Sequence, residues 1–409
     1  MKYKEYPKRK DSGVEWIGEI PEHWDVIRLK FLSNITTGEK NTEDRDDEGQ
    51  YPFFVRSKII ERISTYFYDG EAILSPGEGD VGKIVHYING KFDLHQRMYA
   101  IYDFVNISGK FCYWYLKTNL KNEVMKNSKK VTVESVRLPF FFNFPITFGS
   151  EEEQNQIADF LEEKTTQFDK LTSKMQKQIT LLEEKREATI TQAVTKGLDP
   201  SVKMKDSGVE WIGKIPEGWE VVRLKHNHAQ VIAGQSPSSS SYVDDGRGIQ
   251  FLQGCETFGD LHPHPKIRTI EPTKIVQQNT VLISVRAPVG TLNIANSEIC
   301  IGRGLAGIVA KENNLSYKFL YYFLNLSSKI ISGGSRGTTF QSIRTEELEN
   351  SLIVSMPYEE QEQISEFLDK QTTQFDELIA KSKAQITLLE EKRQALITAT
   401  VTGKIDVRS

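Results

Sequence analysis

Residues 77–83, "GEGDVGK", come nearest in type and spacing to a chemical motif. Gly77, Gly79 and Gly82 fit the dinucleotide fingerprint GxGxxG. Gly77, Gly82 and Lys83 fit most of the phosphate loop GxxxxGK[ST]. Both patterns place phosphates on backbone N–H groups where a strand gives way to a helix. Glu71–Leu74 could supply the strand, but the following "IVHYINGKF" is β-branched and aromatic, and Asn89-Gly90 is a hairpin signal. Ile84 stands where a phosphate loop needs a hydroxyl for Mg²⁺. The segment therefore reads as strand, glycine-rich turn, strand. Other chemistry is equally thin. His226/His228 and His262/His264 are close pairs with no Cys or carboxylate at ligand spacing. There is no [DNS]-P-P-[YF] adenine-methyltransferase motif. No catalytic or metal residue is expected.

The elements that carry this loop show a stronger signal, because the chain contains itself twice. "KDSGVEWIGEIPEHWDVIRLK" from Lys10 recurs from Lys205 with four changes, 195 residues on. "EEQNQIADFLEEKTTQFDKL" from Glu152 recurs as "EEQEQISEFLDKQTTQFDEL" from Glu359, 207 residues on, and "QITLLEEKR" occurs unchanged at 178–186 and 385–393. The stretches between, about 31–150 and 226–358, share little beyond "AILSPGEGDVGKI", which can be laid over "VLISVRAPVGTLNI". Val81-Gly82 then falls on Val289-Gly290, Gly77 on Val285, Gly79 on Ala287 and Lys83 on Thr291. The second copy keeps the turn and drops the phosphate-binding residues, so the loop serves the sheet.

From Glu151 the pattern turns helical, with Ser150 and Glu153 as a capping box. Ile157, Phe160, Leu161, Phe168, Leu171, Met175, Ile179 and Leu182 form one apolar stripe. The helix should reach about Thr195, before Gly197 and Pro200. The C-terminal copy repeats the stripe at Ile364, Phe367, Leu368, Phe375, Leu378, Ile386 and Leu389, up to Gly403. The expected fold is α+β: two mixed α/β domains separated by two long antiparallel helices, in a pseudo-two-fold internal repeat. Residues 1–150 form the first domain with its shared segment 1–30. The central helix and linker take 151–204, the second domain with its repeated segment 205–225 takes 205–358, and the last helix 359–409. A near-unchanged frame with two different domains suits a ligand with two different sites at fixed separation, and duplex DNA is the obvious candidate.

The chain has 409 residues and a net charge of −4, so bulk charge neither advertises nor excludes nucleic acid. No run approaches the ~18 apolar residues of a membrane helix, and "MKYKEYPKRKDSG" has no signal-peptide core. Cys112, Cys255 and Cys300, odd in number and far apart, suit a reducing cytoplasm.

"SGVEWIGEIPEHWDVIRLK", "EEQNQIADFL", "LLEEKRQALITATVTGKID" (388–406) and "GGSRGTTFQSIRTEELENSLIVSMPYEEQEQISEFLD" closely resemble the shared regions of type I restriction-modification specificity subunits, and "YPFFVRS" and "FDLHQRMYAIY" add to it. The resemblance spans the chain in the family's order. It implies two target recognition domains, each reading one half of a split, asymmetric double-stranded DNA site. It also implies a non-catalytic role for this chain. Two modification (methyltransferase) subunits would bind S-adenosylmethionine and methylate adenine. Restriction (translocase and nuclease) subunits would bring ATP- and Mg²⁺-dependent translocation and cleavage. A duplicated coiled-coil adaptor that binds only proteins, and a nucleotide-binding enzyme using Gly77–Lys83, are the alternatives.

Base readers are usually Arg, Lys, Asn and Gln on loops or helix starts. In the first domain these are Gly79 and Lys83 on the glycine turn, with His95, Gln96 and Arg97. In the second they are Arg286, Arg303, and Ser335, Arg336, Thr338 and Gln341 of "SRGTTFQS". Gly333-Gly334 could let backbone N–H groups approach a phosphate ahead of a helix.

Overall fold

The computed structural model describes residues 3–127, 135–226, 228–333 and 342–408. It divides into two compact units, Met1–Gln176 with Lys383–Ser409, and Lys177–Ser382. No helix among the described residues is long and apolar enough to cross a membrane.

In the first unit, β1 (Arg9–Asp11) pairs with β2 (Glu19–Pro21), and β3 (Asp25–Arg28) leads into the variable region. There follow β4 (Asn34–Thr37), β5 (Tyr51–Phe54), β6 (Ile60–Ile63), β7 (Tyr68–Pro76), β8 (His86–Leu94) and β9 (Met98–Tyr102). Then come α1 (Gly109–Asn127), α2 (Leu138–Asn143), β10 (Pro145–Phe148) and the 46-residue α3 (Glu151–Lys196). Six strands make one sheet in the order β4-β9-β7-β8-β5-β6, with β5 and β8 parallel and the other pairs antiparallel. The Asn89-Gly90 hairpin expectation fails. Both residues lie inside β8, where Gly90 stands opposite Gly70 of β7 and the strand runs on to Leu94. The β-branched and aromatic residues on both sides of the pair continue the ladder, and that tertiary pairing overrides the local turn preference.

The second unit repeats the plan with β11 (Met204–Asp206), β12 (Lys214–Pro216), β13 (Glu220–Arg223), β14 (Ala229–Ala233), β15 (Tyr242–Val243), β16 (Ile249–Leu252) and β17 (Ile267–Thr269). It continues with β18 (Ile275–Val276), β19 (Val281–Ser284), β20 (Leu292–Ile294), β21 (Ile299–Ile301) and β22 (Leu305–Ala310). Its last elements are α4 (Tyr317–Gly333), α5 (Thr345–Glu349), β23 (Leu352–Ser355) and α6 (Tyr358–Val401). One difference is topological. The long β8 corresponds to two short strands, β20 and β21, with residues 295–298 between them. The sheet splits accordingly into β14-β22-β19-β20 and β15-β17-β16-β21-β18. The parallel pair survives the split, as β16 on β21.

Each unit's core draws on both long helices. In the first, Ile157 and Leu161 at the start of α3 share a core with Ile397 and Val401 at the end of α6, around the buried Trp24. In the second, Ile364 and Leu368 at the start of α6 share a core with Ile190 and Val194 at the end of α3, around Trp219. Each set is the other displaced by the 207-residue repeat. Arg393 reaches Asp169 at 3.4 Å in the first unit and Arg186 reaches Asp376 at 3.1 Å in the second, again repeat partners. Within each unit the two helices therefore run antiparallel. The stripe is covered only in part: Leu171 and its repeat partner Leu378 are exposed.

Two glutamines join the frame to the variable domains. Gln154 is buried. Its Oε1 accepts the Ser108 N–H at 2.7 Å, just before α1, and its Nε2 donates to the Gly149 carbonyl at 3.0 Å and the Asn106 carbonyl at 3.4 Å. Gln361 does the same before α4, with Ser316 N–H at 2.9 Å and the Met356 and Asn314 carbonyls at 3.0 Å. The expected capping box is half formed. Ser150 Oγ accepts the Glu153 N–H at 3.3 Å, but the Glu153 carboxylate turns away to Tyr6 Oη at 2.6 Å and His23 Nε2 at 2.8 Å.

Replacing Gln154 with Met keeps the volume and leaves the Ser108 N–H and the Gly149 and Asn106 carbonyls, all partly buried at these bonds, without their partner. Burying such groups without partners is costly, so Gln154→Met should lower the unfolding free energy by about 2–4 kcal/mol. Gln154→Glu can still accept from Ser108 but turns a carboxylate oxygen toward the two carbonyls, so it should cost at least as much at neutral pH and less at low pH, where the protonated acid can donate. Chemical denaturation monitored by tryptophan fluorescence measures both.

Candidate nucleic-acid interface

Four loops meet beside the start of β9. They follow β4, β5, β7 and β8, and their backbones are cross-tied. His95 N–H donates to the Phe54 carbonyl at 2.9 Å, Gln96 N–H to Lys40 at 2.7 Å, and Gly77 N–H to Arg97 at 2.9 Å. Met98 N–H closes on the His95 carbonyl at 2.8 Å, so Gln96 and Arg97 occupy the corners of a tight turn. The approach requires glycine at 38, where a Cβ would collide with the Leu94 carbonyl.

The side chains on these loops are the types that hydrogen-bond base edges and phosphates. Glu78 Oε2 accepts from Arg97 Nη1 at 2.7 Å and Arg56 Nη1 at 3.3 Å. Gln96 Nε2 donates to Asn41 Oδ1. Lys83 reaches Asp80 at 2.9 Å. His95 is buried, and its Nδ1 accepts the Arg97 N–H at 3.0 Å. Burial holds its pKa below the ordinary value; neighbouring Arg56 and Arg97 push the same way, against Glu61 and Glu78.

Gly79 (φ +80°) shapes the turn and has no neighbour near its Cβ position. Gly82 (φ +73°) instead permits a close approach, since a Cβ there would lie 2.6 Å from the Lys121 amide nitrogen of α1. Val81 beside it is fully buried. The loop therefore lies against the helix backbone, and no helix start follows it on which phosphates could rest. Gly290 (φ +84°) lies less close to α4: a Cβ there would meet the Ser328 side chain at 3.3 Å.

The second unit builds the same meeting of loops from different residues. Gly302 N–H donates to the Leu252 carbonyl at 2.7 Å, Val285 N–H to Gly304 at 2.9 Å, and Leu305 N–H to Gly302 at 2.9 Å. These bonds put Gly302, Arg303 and Gly304 in the places of His95, Gln96 and Arg97. Arg303 N–H is tied to Ser236 Oγ at 3.2 Å, which donates to Gln253 Oε1 at 3.1 Å. Arg286 bridges Ser342 where Glu78 bridges Ser135. The Arg286 and Arg303 side chains are exposed and make no hydrogen bond or ion pair among the described residues. Ser335, Arg336, Thr338 and Gln341 lie outside the described residues. Gly333 closes α4, and the next described helix begins at Thr345.

The structure thus gathers Gly79, His95, Gln96 and Arg97 at one tip and Arg286 and Arg303 at the other, with Lys83 on the flank of its loop. Sequence reading missed Arg56, Glu78 and Asn41 in the first unit and Ser236 and Gln253 in the second. Glu78 lies inside "GEGDVGK" and Arg56 inside "YPFFVRS", and a glycine, Gly38 or Gly234, stands ahead of Asn41 and Ser236; Gln253 carried no signal. Among the described residues no group of three or more His, Cys, Asp or Glu side chains could hold a metal ion.

A family model described as type I restriction modification DNA specificity domain matches residues 21–181 and again 216–388. A Methanocaldococcus jannaschii chain provisionally named as the MjaX type I restriction enzyme specificity subunit is 31% identical, over 96% of each chain. The MjaVIII specificity subunit of the same organism is 25% identical over 100% of this chain and 98% of its own. Among solved structures, a chain from work on complex assembly and conformational transition of the type I R-M system has a TM-score of 0.76 at 23% identity. It covers 93% of this chain and 98% of its own. The HsdS subunit from Thermoanaerobacter tengcongensis has a TM-score of 0.58, also at 23% identity, over 94% of this chain and 98% of its own.

The state of His95 gives the first tip a pH dependence. Its folded pKa lies below the unfolded value of about 6.5, so the unfolded chain binds the extra proton first. Its contribution to stability is complete above about pH 6.5 and is lost as the pH falls from there toward the folded pKa. Thermal melts from pH 8 to 5 should show this loss, and His95→Asn should flatten the curve over that range.

Proposed function

The chain belongs to the type I restriction modification DNA specificity family, and we propose that it reads a bipartite, asymmetric duplex site, one half with each recognition domain. The observation that carries this reading is the contrast between frame and tips. The glutamine clamps, the tryptophan cores and the helix ion pairs recur residue for residue across the repeat. The loop ends they support carry Arg56, Glu78, Gln96 and Arg97 in one unit and Arg286, Arg303, Ser236 and Gln253 in the other. A shared frame suits identical partners, and different tips suit different sequences.

In this reading the duplicated frame offers two equivalent surfaces to two modification subunits. Those subunits bind S-adenosylmethionine and methylate an adenine in each half-site. Restriction subunits, where present, use ATP and Mg²⁺. The chain itself supplies DNA contacts and positioning only, so Gln96 and Arg303 are proposed to meet bases, and Lys83 a phosphate. The purified chain should then show no methyltransferase, nuclease or ATPase turnover, and a constant specific activity through successive purification steps would overturn that.

The decisive experiment is an exchange. Residues 31–150 are replaced by the matching region of a relative with a different target, and the complex with its modification subunits is mapped by genome methylation. One half-site should change and the other stay the same. A change in both halves would sink the modular reading. Methylation that ignores the exchange would return the chain to a protein-binding adaptor.

A further inference from the structure

The carboxylate at the first tip is out of place on a surface that meets a polyanion, and its surroundings explain why it stands there. Glu78 lies just past β7, with its backbone bridged to Ser135. A single oxygen, Oε2, accepts from both Arg97 and Arg56, each through Nη1. The Nε and Nη2 edge of each guanidinium is left open, and that edge is the two-donor fork that matches the O6 and N7 acceptors of guanine. All three side chains stay 41–50% exposed. Exposed ion pairs add little to stability, so stability gives a weak reason for the arrangement.

The second unit supplies the control. The matched hydrogen bonds put Arg286 at the position of Glu78 and Gly304 at that of Arg97. Two residues past the matched pair Phe54 and Leu252 stand Arg56 and Gly254. Where the carboxylate is missing, both arginines are missing with it. The three residues behave as one device. Beneath it, His95 is buried and receives the Arg97 N–H, which fixes the backbone from which Arg97 projects.

We propose that Glu78 is a positioning residue that holds Arg56 and Arg97 as a preformed fork for a guanine in the half-site read by the first domain. This rests on the DNA-reading function proposed above. Pre-ordering two long side chains reduces the entropy lost on binding, and the added negative charge weakens attachment to DNA of any sequence. Specificity rises while non-specific affinity falls.

The test uses the full chain assembled with its modification subunits. Binding is measured by fluorescence anisotropy, over a salt series, to four duplexes. These carry the methylation-mapped target, the target with each G·C pair of the first half replaced, the target altered in the second half, and a scrambled sequence. Glu78→Gln should cut discrimination at a first-half guanine by roughly tenfold or more. It should leave discrimination in the second half unchanged and hold or tighten binding to scrambled duplex at low salt. Arg97→Lys, which keeps the charge and loses the fork, should lose the same discrimination. Three outcomes overturn the proposal: unchanged first-half discrimination in Glu78→Gln, an equal loss at both halves with a lowered melting temperature, or a first half with no guanine. If the unaltered complex fails to distinguish target from scrambled duplex, the DNA-reading function falls first and this proposal with it.

Discussion

Everything variable in this chain hangs on a buried amide. A helix that starts in a protein interior leaves N–H groups without partners, and the loop before it leaves carbonyls. Gln154 and Gln361 answer both needs at once, from the first turn of each long helix. The side chain has one acceptor and two donor hydrogens, and each glutamine uses both functions on the loop before α1 or α4. No charge is buried and no water is required. The clamp touches only backbone atoms of the variable domain, so that domain's side chains can change freely around it. The adjoining ion pairs, Lys110 with Glu162 and Lys318 with Asp369, mark the same junction on the surface.

A fixed junction lets the sheets diverge. The continuous β8 in one unit is two strands in the other, and the single six-stranded sheet becomes two smaller ones. The tip geometry survives because it does not depend on sheet continuity. It depends on the parallel pairing of β5 with the end of β8, matched by β16 with β21, and on the turn that follows. Gly38 and Gly234 hold the remaining loop close enough to join.

The two tips solve an electrostatic problem differently. With a net charge of −4 the chain has no general attraction for a polyanion, so any attraction must be local. The second tip presents two arginines that make no hydrogen bond or ion pair among the described residues. The first presents two arginines already bound to a carboxylate. Loose cations favour binding to any phosphate backbone, whereas ordered ones favour a particular arrangement of acceptors.

The sequence by itself determined the duplicated frame, the two long helices with their ends, the strand–turn–strand around Gly77–Lys83 and the family. These features are local, or they are written twice. Helical periodicity declares which face must be buried, and an exact repeat such as "QITLLEEKR" declares that the same burial happens again. The register of "AILSPGEGDVGKI" over "VLISVRAPVGTLNI" was legible too, and matched hydrogen bonds at Gly77 and Val285 bear it out. Only the tertiary structure decided that Asn89-Gly90 continues a strand and that Glu153 turns to Tyr6 and His23. The gathering of Arg56, Glu78 and Arg97 at one point was likewise decided there. They lie on three loops, and they meet because β7 ends beside the start of β9, while the turn from β8, whose end pairs in parallel with β5, leads into that same start. Strand order comes from non-local pairing, which leaves no period in the sequence. A charged loop residue reads the same whether it faces solvent, a neighbouring arginine or DNA.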